Sequence, residues 1–214
     1  MCSSDLVKWA RRCRDEFDKL TKKVQGQKPL LFAIVQGGSD PNLRLACGQK
    51  LQEIGFDGYG FGGWPLDSKG NLRDDILQAA ANAMPDNLPK YAMGLGTPAE
   101  IVRCVDMGYN LFDCVIPTRE ARHQRLYVFG EGMETAQGVR RPDGKFYQFY
   151  YALDDKHARD GHPVDERCAC PLCQNHSRAY LHHLFKAGDS QAYRLATAHN
   201  LRFYARLMEL IRDE

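Results

Sequence analysis

Three thiols sit in one short loop of this chain, Cys168-Ala169-Cys170-Pro171-Leu172-Cys173. Zinc takes four soft or borderline ligands in a tetrahedron, with sulfur at about 2.3 Å. The Cys-x-Cys-x-x-Cys spacing supplies three corners, and His176, His182, His183 and His199 are candidates for the fourth. His176 lies close for a helix-borne ligand, whereas His199 falls in a long helical stretch that it would tie to the loop. Four protein ligands leave no open position, so such a site is structural rather than catalytic. Without a metal, the three thiols would be prone to oxidation.

A second group of residues suggests different chemistry. Asp113 stands within Leu111-Phe112-Asp113-Cys114-Val115-Ile116, and Thr118, Arg119 and Arg122 follow. The run reads as a buried strand, where an ionised carboxylate costs several kcal/mol unless it is paired. Asp113 could be a structural partner of Arg119 or of a backbone amide, a general base, or a nucleophile of glycosyl transfer. Gln36 offers one donor and one acceptor group to the edge of a planar heterocycle. Gly63 offers a bare backbone N–H, and Met93 a polarisable contact for a ring. Arg119 and Arg122 can fork onto phosphate or carboxylate. Together these residues describe a base pocket beside a phosphate-binding edge.

The elements that must position them follow a repeating pattern. A first amphipathic helix over 5–24, capped by Ser3 or Ser4, has the apolar stripe Leu6, Trp9, Ala10, Cys13, Phe17 and Leu20. Strands are expected over 30–36, 58–63, 91–96 and 111–116, and helices over 41–54, 72–84 and 98–107. Short strands alternating with helices mean a parallel sheet. Each strand ends in special residues: Gln36-Gly37-Gly38, Gly62-Gly63-Trp64, Gly94-Leu95-Gly96, and Asp113 onward. Parallel α/β folds place their chemistry at those carboxyl ends. Four strands are either a small open sheet or half of an eight-stranded barrel.

From His123 the character changes. Aromatic strands over 126–129 and 146–150, turn signals such as Pro142-Asp143-Gly144, the cysteine loop, and helices over 177–185 and 191–211 suggest a second unit stapled by metal. The expected division is 1–122 and 123–214. At 43% hydrophobic and 26% charged, the composition is that of an ordinary globular protein. No apolar run approaches a membrane span and no signal-peptide pattern opens the chain. Cys2, Cys13, Cys47, Cys104 and Cys114 are scattered, which suggests reduced thiols and a cytoplasmic location. A net charge of +2 is too small to imply a polyanionic partner by itself.

Several long motifs then point to one family. Phe32-Ala-Ile-Val-Gln-Gly-Gly38, Gly55-Phe-Asp-Gly-Tyr59, Tyr91-Ala-Met-Gly-Leu-Gly-Thr-Pro98, Phe112-Asp-Cys-Val-Ile-Pro-Thr-Arg119 and Ser177-Arg-Ala-Tyr-Leu-His-His-Leu184 stand beside the cysteine loop and His199. They closely resemble the tRNA-guanine transglycosylases, or queuine tRNA-ribosyltransferases, over nearly the whole chain.

The resemblance implies the C-terminal half of an irregular (β/α)8 TIM barrel with a zinc-binding subdomain. It implies exchange of a guanine in the tRNA anticodon loop for a 7-deazaguanine such as queuine or preQ1, with Asp113 as nucleophile in a covalent aspartyl-ribose intermediate. Gln36, Gly62, Gly63, Met93 and Gly94 take substrate-binding positions. Gly94, Gly96, Thr118, Arg119 and Arg122 take RNA-contacting ones. Cys168, Cys170, Cys173 and His199 take the positions of the structural zinc ligands. A homodimer is expected as well.

The family's second essential aspartate and its base-stacking aromatic belong to a preceding half that this sequence does not contain. The expectation is a portion inactive alone and completed by that half. After Gly63 the sequence runs Trp64-Pro65-Leu66-Asp67, where the family has small residues and a glycine–glutamate pair. Trp64 is expected to reshape the side of the pocket facing the base substituent, with Asp67 a candidate replacement carboxylate. The alternatives are a non-catalytic zinc-bearing RNA-binding subunit and a DNA-modifying relative.

Overall fold

A computed structural model of the chain describes residues 4–141 and 143–212. Ser3, Cys2 and the turn residue Pro142 lie outside the described residues. The chain divides into two compact units, 1–96 with 103–113, and 97–102 with 114–214. The division therefore falls before the expected 122, at the end of the fourth strand.

In the first unit, α1 (Ser4–Thr21) precedes β1 (Phe32–Val35), α2 (Pro41–Ile54), β2 (Gly58–Phe61), α3 (Asp74–Asn82), β3 (Lys90–Ala92) and β4 (Leu111–Phe112). The strands form one parallel sheet in the order β1-β2-β3-β4. Asp40 caps α2 by accepting from Asn42 and Leu43 N–H, and Pro41 occupies its first turn. The core gathers Val35, Leu51, Phe61, Ile76, Leu77 and Tyr109. Each large apolar side chain buried there contributes about 1.5–3 kcal/mol.

Two expectations are corrected in this unit. The inward side of α1 is Leu6, Ala10, Arg14, Phe17 and Thr21, while Trp9 and Leu20 are 58% and 71% exposed. Arg14 pairs with Asp18 one turn along the helix and, at 3.6 Å, with Asp57 beyond it. The fourth strand is also shorter than 111–116. The backbone turns helical at Val115 (φ −88°, ψ −4°), and α5 (Ile116–Arg122) begins with Pro117 in its first turn. Proline has no N–H to lose at that position, so Pro117 starts a helix rather than continuing a strand.

α4 (Pro98–Asp106) straddles the division. It opens with a capping box: Thr97 N–H donates to Glu100 Oε2 at 3.0 Å, and Glu100 N–H to Thr97 Oγ1 at 3.3 Å.

The second unit continues from α5 with β5 (Arg125–Phe129), α6 (Ala136–Val139), β6 (Tyr147–Tyr151), a 3-10 turn (Asp155–His157), α7 (Pro171–Asn175), α8 (Arg178–Ala187) and α9 (Ser190–Arg212). β5 and β6 pair antiparallel. Ala121, Leu126, Leu172, Leu181, Leu195 and Ala196 form its core. Ser177 caps α8, and Gly188 (φ 69°) ends it in a left-handed turn. Among the described residues, no helix is long and apolar enough to cross a membrane.

Candidate active site and metal centre

Parallel register puts the first unit's candidate residues in a row. Val35 pairs with Phe61, Gly60 with Tyr91, and Ala92 with Phe112. Gln36, Gly62, Met93 and Asp113 are each the first residue past the end of a strand. With strands about 4.8 Å apart, the row runs roughly 14 Å from Gln36 to Asp113.

Asp113 is exposed, contrary to the expectation of a buried strand carboxylate. β4 is the outer strand and Asp113 lies beyond its end; even Leu111 is 41% exposed. No large desolvation cost stands against its charge. Its Oδ1 accepts the Gly94 N–H at 2.9 Å and the Tyr91 hydroxyl at 2.7 Å. Those two bonds hold the Asp113 carboxyl below its ordinary pKa, the Gly94 amide contributing more than Tyr91. The same hydrogen bond raises the Tyr91 hydroxyl, because ionising it would lose the proton it donates to Asp113, with burial and the nearby negative charge adding to the shift. Oδ2 has no hydrogen-bond partner among the described residues. One oxygen therefore fixes the carboxylate while the other keeps its lone pairs free. Gly94 (φ 72°) is in a left-handed conformation that favours glycine. Its N–H serves Asp113.

At the other end of the row, a Cβ on Gly62 would meet Gln36 Nε2 at 2.4 Å and Ile34 Cγ2 at 2.5 Å. The missing side chain lets the Gln36 amide lie across the end of β2. Gln36 is half-buried, and its amide makes no hydrogen bond among the described residues. The Met93 methyl reaches over Gly60, 3.6 Å from where a Cβ would stand. Trp64 is 75% exposed. Asp67 builds a local turn, accepting from Lys69 N–H and Asn71 N–H at 2.8 Å and from Asn71 Nδ2 at 3.0 Å. Those bonds occupy the carboxylate that had been a candidate replacement.

Thr118, Arg119 and Arg122 lie on α5 in the second unit. Both arginines are exposed. Arg119 Nε is 3.5 Å from Glu120 Oε1. The Thr118 hydroxyl donates to the Val115 carbonyl at 3.0 Å. Gly96 is buried.

The metal centre assembles entirely within the second unit. The donor atoms of Cys168, Cys170, Cys173 and His199 all lie within 4.8 Å of one another. His199 Nδ1 stands 3.7, 3.5 and 3.3 Å from the three sulfurs in that order. A tetrahedral ion bonded at about 2.3 Å to sulfur and about 2.0 Å to nitrogen would space such atoms by about 3.5 Å. The other ring nitrogen, Nε2, is 2.8 Å from the Tyr127 carbonyl. A carbonyl only accepts, so Nε2 carries the proton and Nδ1 presents a lone pair. These four residues fit a bound metal ion. His176 instead stacks on Tyr180 with ring centres 4.6 Å apart, and His182 faces Asp155 at 3.8 Å.

A family model described as "TGT: Queuine tRNA-ribosyltransferase" matches residues 5–214. The chain belongs to the queuine tRNA-ribosyltransferase family. A queuine tRNA-ribosyltransferase of Vibrio parahaemolyticus is 41% identical over 206 residues, which are 96% of this chain and 49% of that relative. Relatives of the same name from Methylacidiphilum infernorum and Clostridium kluyveri are 37% and 36% identical, over 97% of this chain and 51% of each relative. The chain thus spans about half the length of these queuine tRNA-ribosyltransferases.

Three positioning side chains were not anticipated from sequence in this family member. Tyr91 orients Asp113. Asn200 binds the backbones beside the metal centre. Arg44, only 1% exposed, donates to Gly38 O at 2.9 Å, Val35 O at 3.2 Å and Gly62 O at 3.1 Å. Its guanidinium also lies over Phe61, 4.3 Å from the ring centre. It ties the ends of β1 and β2 together, and with them Gln36 and Gly62. Arg44, Cys47, Gly48 and Leu51 are the buried residues of α2, at i, i+3, i+4 and i+7. That spacing was the available signal that Arg44 faces inward.

Proposed function

We propose that this chain carries the nucleophile and the base-reading edge of a transferase that exchanges guanine in a tRNA anticodon loop for a 7-deazaguanine. The observation that carries this reading is Asp113: ionised, held through Oδ1, free at Oδ2, and aligned with Gln36, Gly62 and Met93. Asp113 Oδ2 attacks C1′ of the ribose. The bond from C1′ to guanine N9 breaks, and guanine leaves with the electron pair and takes up a proton. The incoming base then attacks C1′ through its own ring nitrogen and gives up the proton on that nitrogen, while the C1′–Oδ2 bond breaks and returns the electron pair to the Asp113 carboxylate. Two displacements retain configuration, as in a retaining glycosidase. The target nucleotide leaves its stack to reach the carboxylate.

In this reading Gln36 hydrogen-bonds the edge of the base, Gly62 and Gly63 give it room beside the backbone, and Met93 packs on the ring. Thr118, Arg119 and Arg122 meet the RNA backbone. Zinc is the ion that Cys168, Cys170, Cys173 and His199 hold, and it acts as a structural cross-link. The four strands supply one half of a (β/α)8 barrel in the cytoplasm, and the other half adds the remaining wall of the pocket. The length of the relatives supports this division.

The test joins the chain to the preceding half of a relative and incubates it with tRNA before a denaturing gel. A covalent protein–RNA band is expected, and it should vanish in Asp113→Ala. A band that survives this substitution would sink the assignment.

A further inference from the structure

The metal ligand His199 has Asn200 beside it on α9, and the two side chains grip the same strand. Asn200 is fully buried. Its Oδ1 accepts the Tyr127 N–H at 3.0 Å, while His199 Nε2 donates to the Tyr127 carbonyl at 2.8 Å. The Asn200 amide then donates twice more, to Arg125 O at 3.1 Å and to Pro117 O at 2.9 Å. Arg125 and Tyr127 alternate along β5, so both turn their backbone groups to one edge of the strand. α9 satisfies that edge with two consecutive side chains. The third bond leaves the strand and reaches the first turn of α5.

A continuous path results, from the sulfurs to His199, along one residue of α9 to Asn200, and on to Pro117. Neighbouring residues of a helix cannot move independently, since their backbones share one hydrogen-bonded ladder. We propose that Asn200 is a positioning residue that couples the metal centre to α5. Occupancy of the Cys168–Cys170–Cys173–His199 site thereby sets how firmly the segment bearing Thr118, Arg119 and Arg122 is held. That α5 meets RNA rests on the function proposed above; the coupling itself stands on the hydrogen bonds.

Amide hydrogen exchange on the full chain tests this without any need for activity. With one equivalent of zinc bound, Asn200→Ala should speed exchange about tenfold or more over 116–122 and leave 170–175 protected. Asn200→Asp keeps an acceptor for Tyr127 N–H but loses both donors, so it should loosen 116–122 and spare Tyr127. Partial chelation should loosen 116–122 in the wild type, and much less in Asn200→Ala, where the link is already cut. Unchanged exchange over 116–122 in both variants would overturn the coupling. So would loss of the metal from both, because Asn200 would then build the centre rather than transmit from it. Binding of tRNA is the separate arm. If α5 loosens as expected but affinity and its salt dependence do not change, the coupling stands and the RNA role of α5 falls.

Discussion

The metal centre draws its four donor atoms within 4.8 Å of one another from the loop before α7, from α7 itself and from α9, and its residues are largely buried. The strand-end row is built the opposite way. Gln36, Gly62, Met93 and Asp113 come from four separate strands, and its carboxylate is exposed. The centre spends its ligands on one another. The row leaves atoms unspent: the Gln36 amide and Asp113 Oδ2. A site closed on itself stabilises, whereas one with free donors and acceptors can bind and react. On the proposed reading the nucleophile and the base-reading edge belong to the first unit and the metal cross-link to the second, and each perturbation below asks whether that separation holds.

The largest effect should come from the centre. Cys173→Ser removes a buried ligand, and structural zinc contributes about 10–16 kcal/mol of apparent folding free energy in small domains. Metal content should fall below half an equivalent, and far-UV circular dichroism should show loss of helix from α7 to α9. Exchange protection over 32–35 and 58–61 should persist. If those strands lose protection equally, the two units are one cooperative body and the comparison breaks.

Asp113→Asn should act in the reverse sense. Metal content and helix content stay unchanged, while base exchange by the completed protein falls by about 10⁴-fold or more, the scale of losing a nucleophile. The wild-type pH profile carries a signature of the same group. The folded pKa of Asp113 is depressed, so its charge and any stability it brings are present above the ordinary value of 3.8 and vanish as pH falls through the lower folded value. The acid limb of the rate should therefore lie below pH 3.8.

Arg44 sharpens the comparison, because it is a buried anchor serving an open site. Arg44→Met leaves the carbonyls of Gly38 and Gly62 without their donor, and that of Val35 with only the Gly62 N–H, at a cost of about 2–4 kcal/mol in urea denaturation. Arg44→Lys keeps the charge but loses the planar fork and should recover part of that. In the completed protein, KM for the base should rise more than kcat falls, since Gln36 and Gly62 move while Asp113 stays held by β3 and the turn after it.

The two sites also differed in how far sequence alone could read them. Three cysteines between 168 and 173 are legible because local spacing already dictates convergence, although Cys173 lies on α7; spacing alone left four histidines open, and the family resemblance pointed to His199. The βα alternation was legible from apolar periodicity, and α2 was anticipated at its observed limits because Pro41 marks its start; the Asp40 cap came only with the structure. The Asp113 segment was misread because Cys114-Val115-Ile116 has strand-forming composition, while Pro117 carried the stronger instruction. Arg44 had a signal in the spacing of the inward face of α2, whereas Tyr91 and Asn200 escaped because their partners are a distant carboxylate and backbone groups, which no pattern along the chain reveals.

Tyr91→Phe is the smallest change and the finest probe of the row. It removes one of the two hydrogen bonds to Asp113 Oδ1 and leaves the Gly94 N–H. A hydrogen bond to a charged group contributes about 1.5–3 kcal/mol when shielded and less at an exposed site. The rate at neutral pH should therefore change by about tenfold or less. The acid limb should move up toward the ordinary carboxylate range, because the ionised form has lost a donor while the neutral form has lost little. A rate loss with no shift of that limb would mean Tyr91 orients Asp113 without stabilising its charge. The direct reading is the Asp113 carboxyl resonance followed through acid titration in both proteins, with metal content as the control that the second unit is untouched.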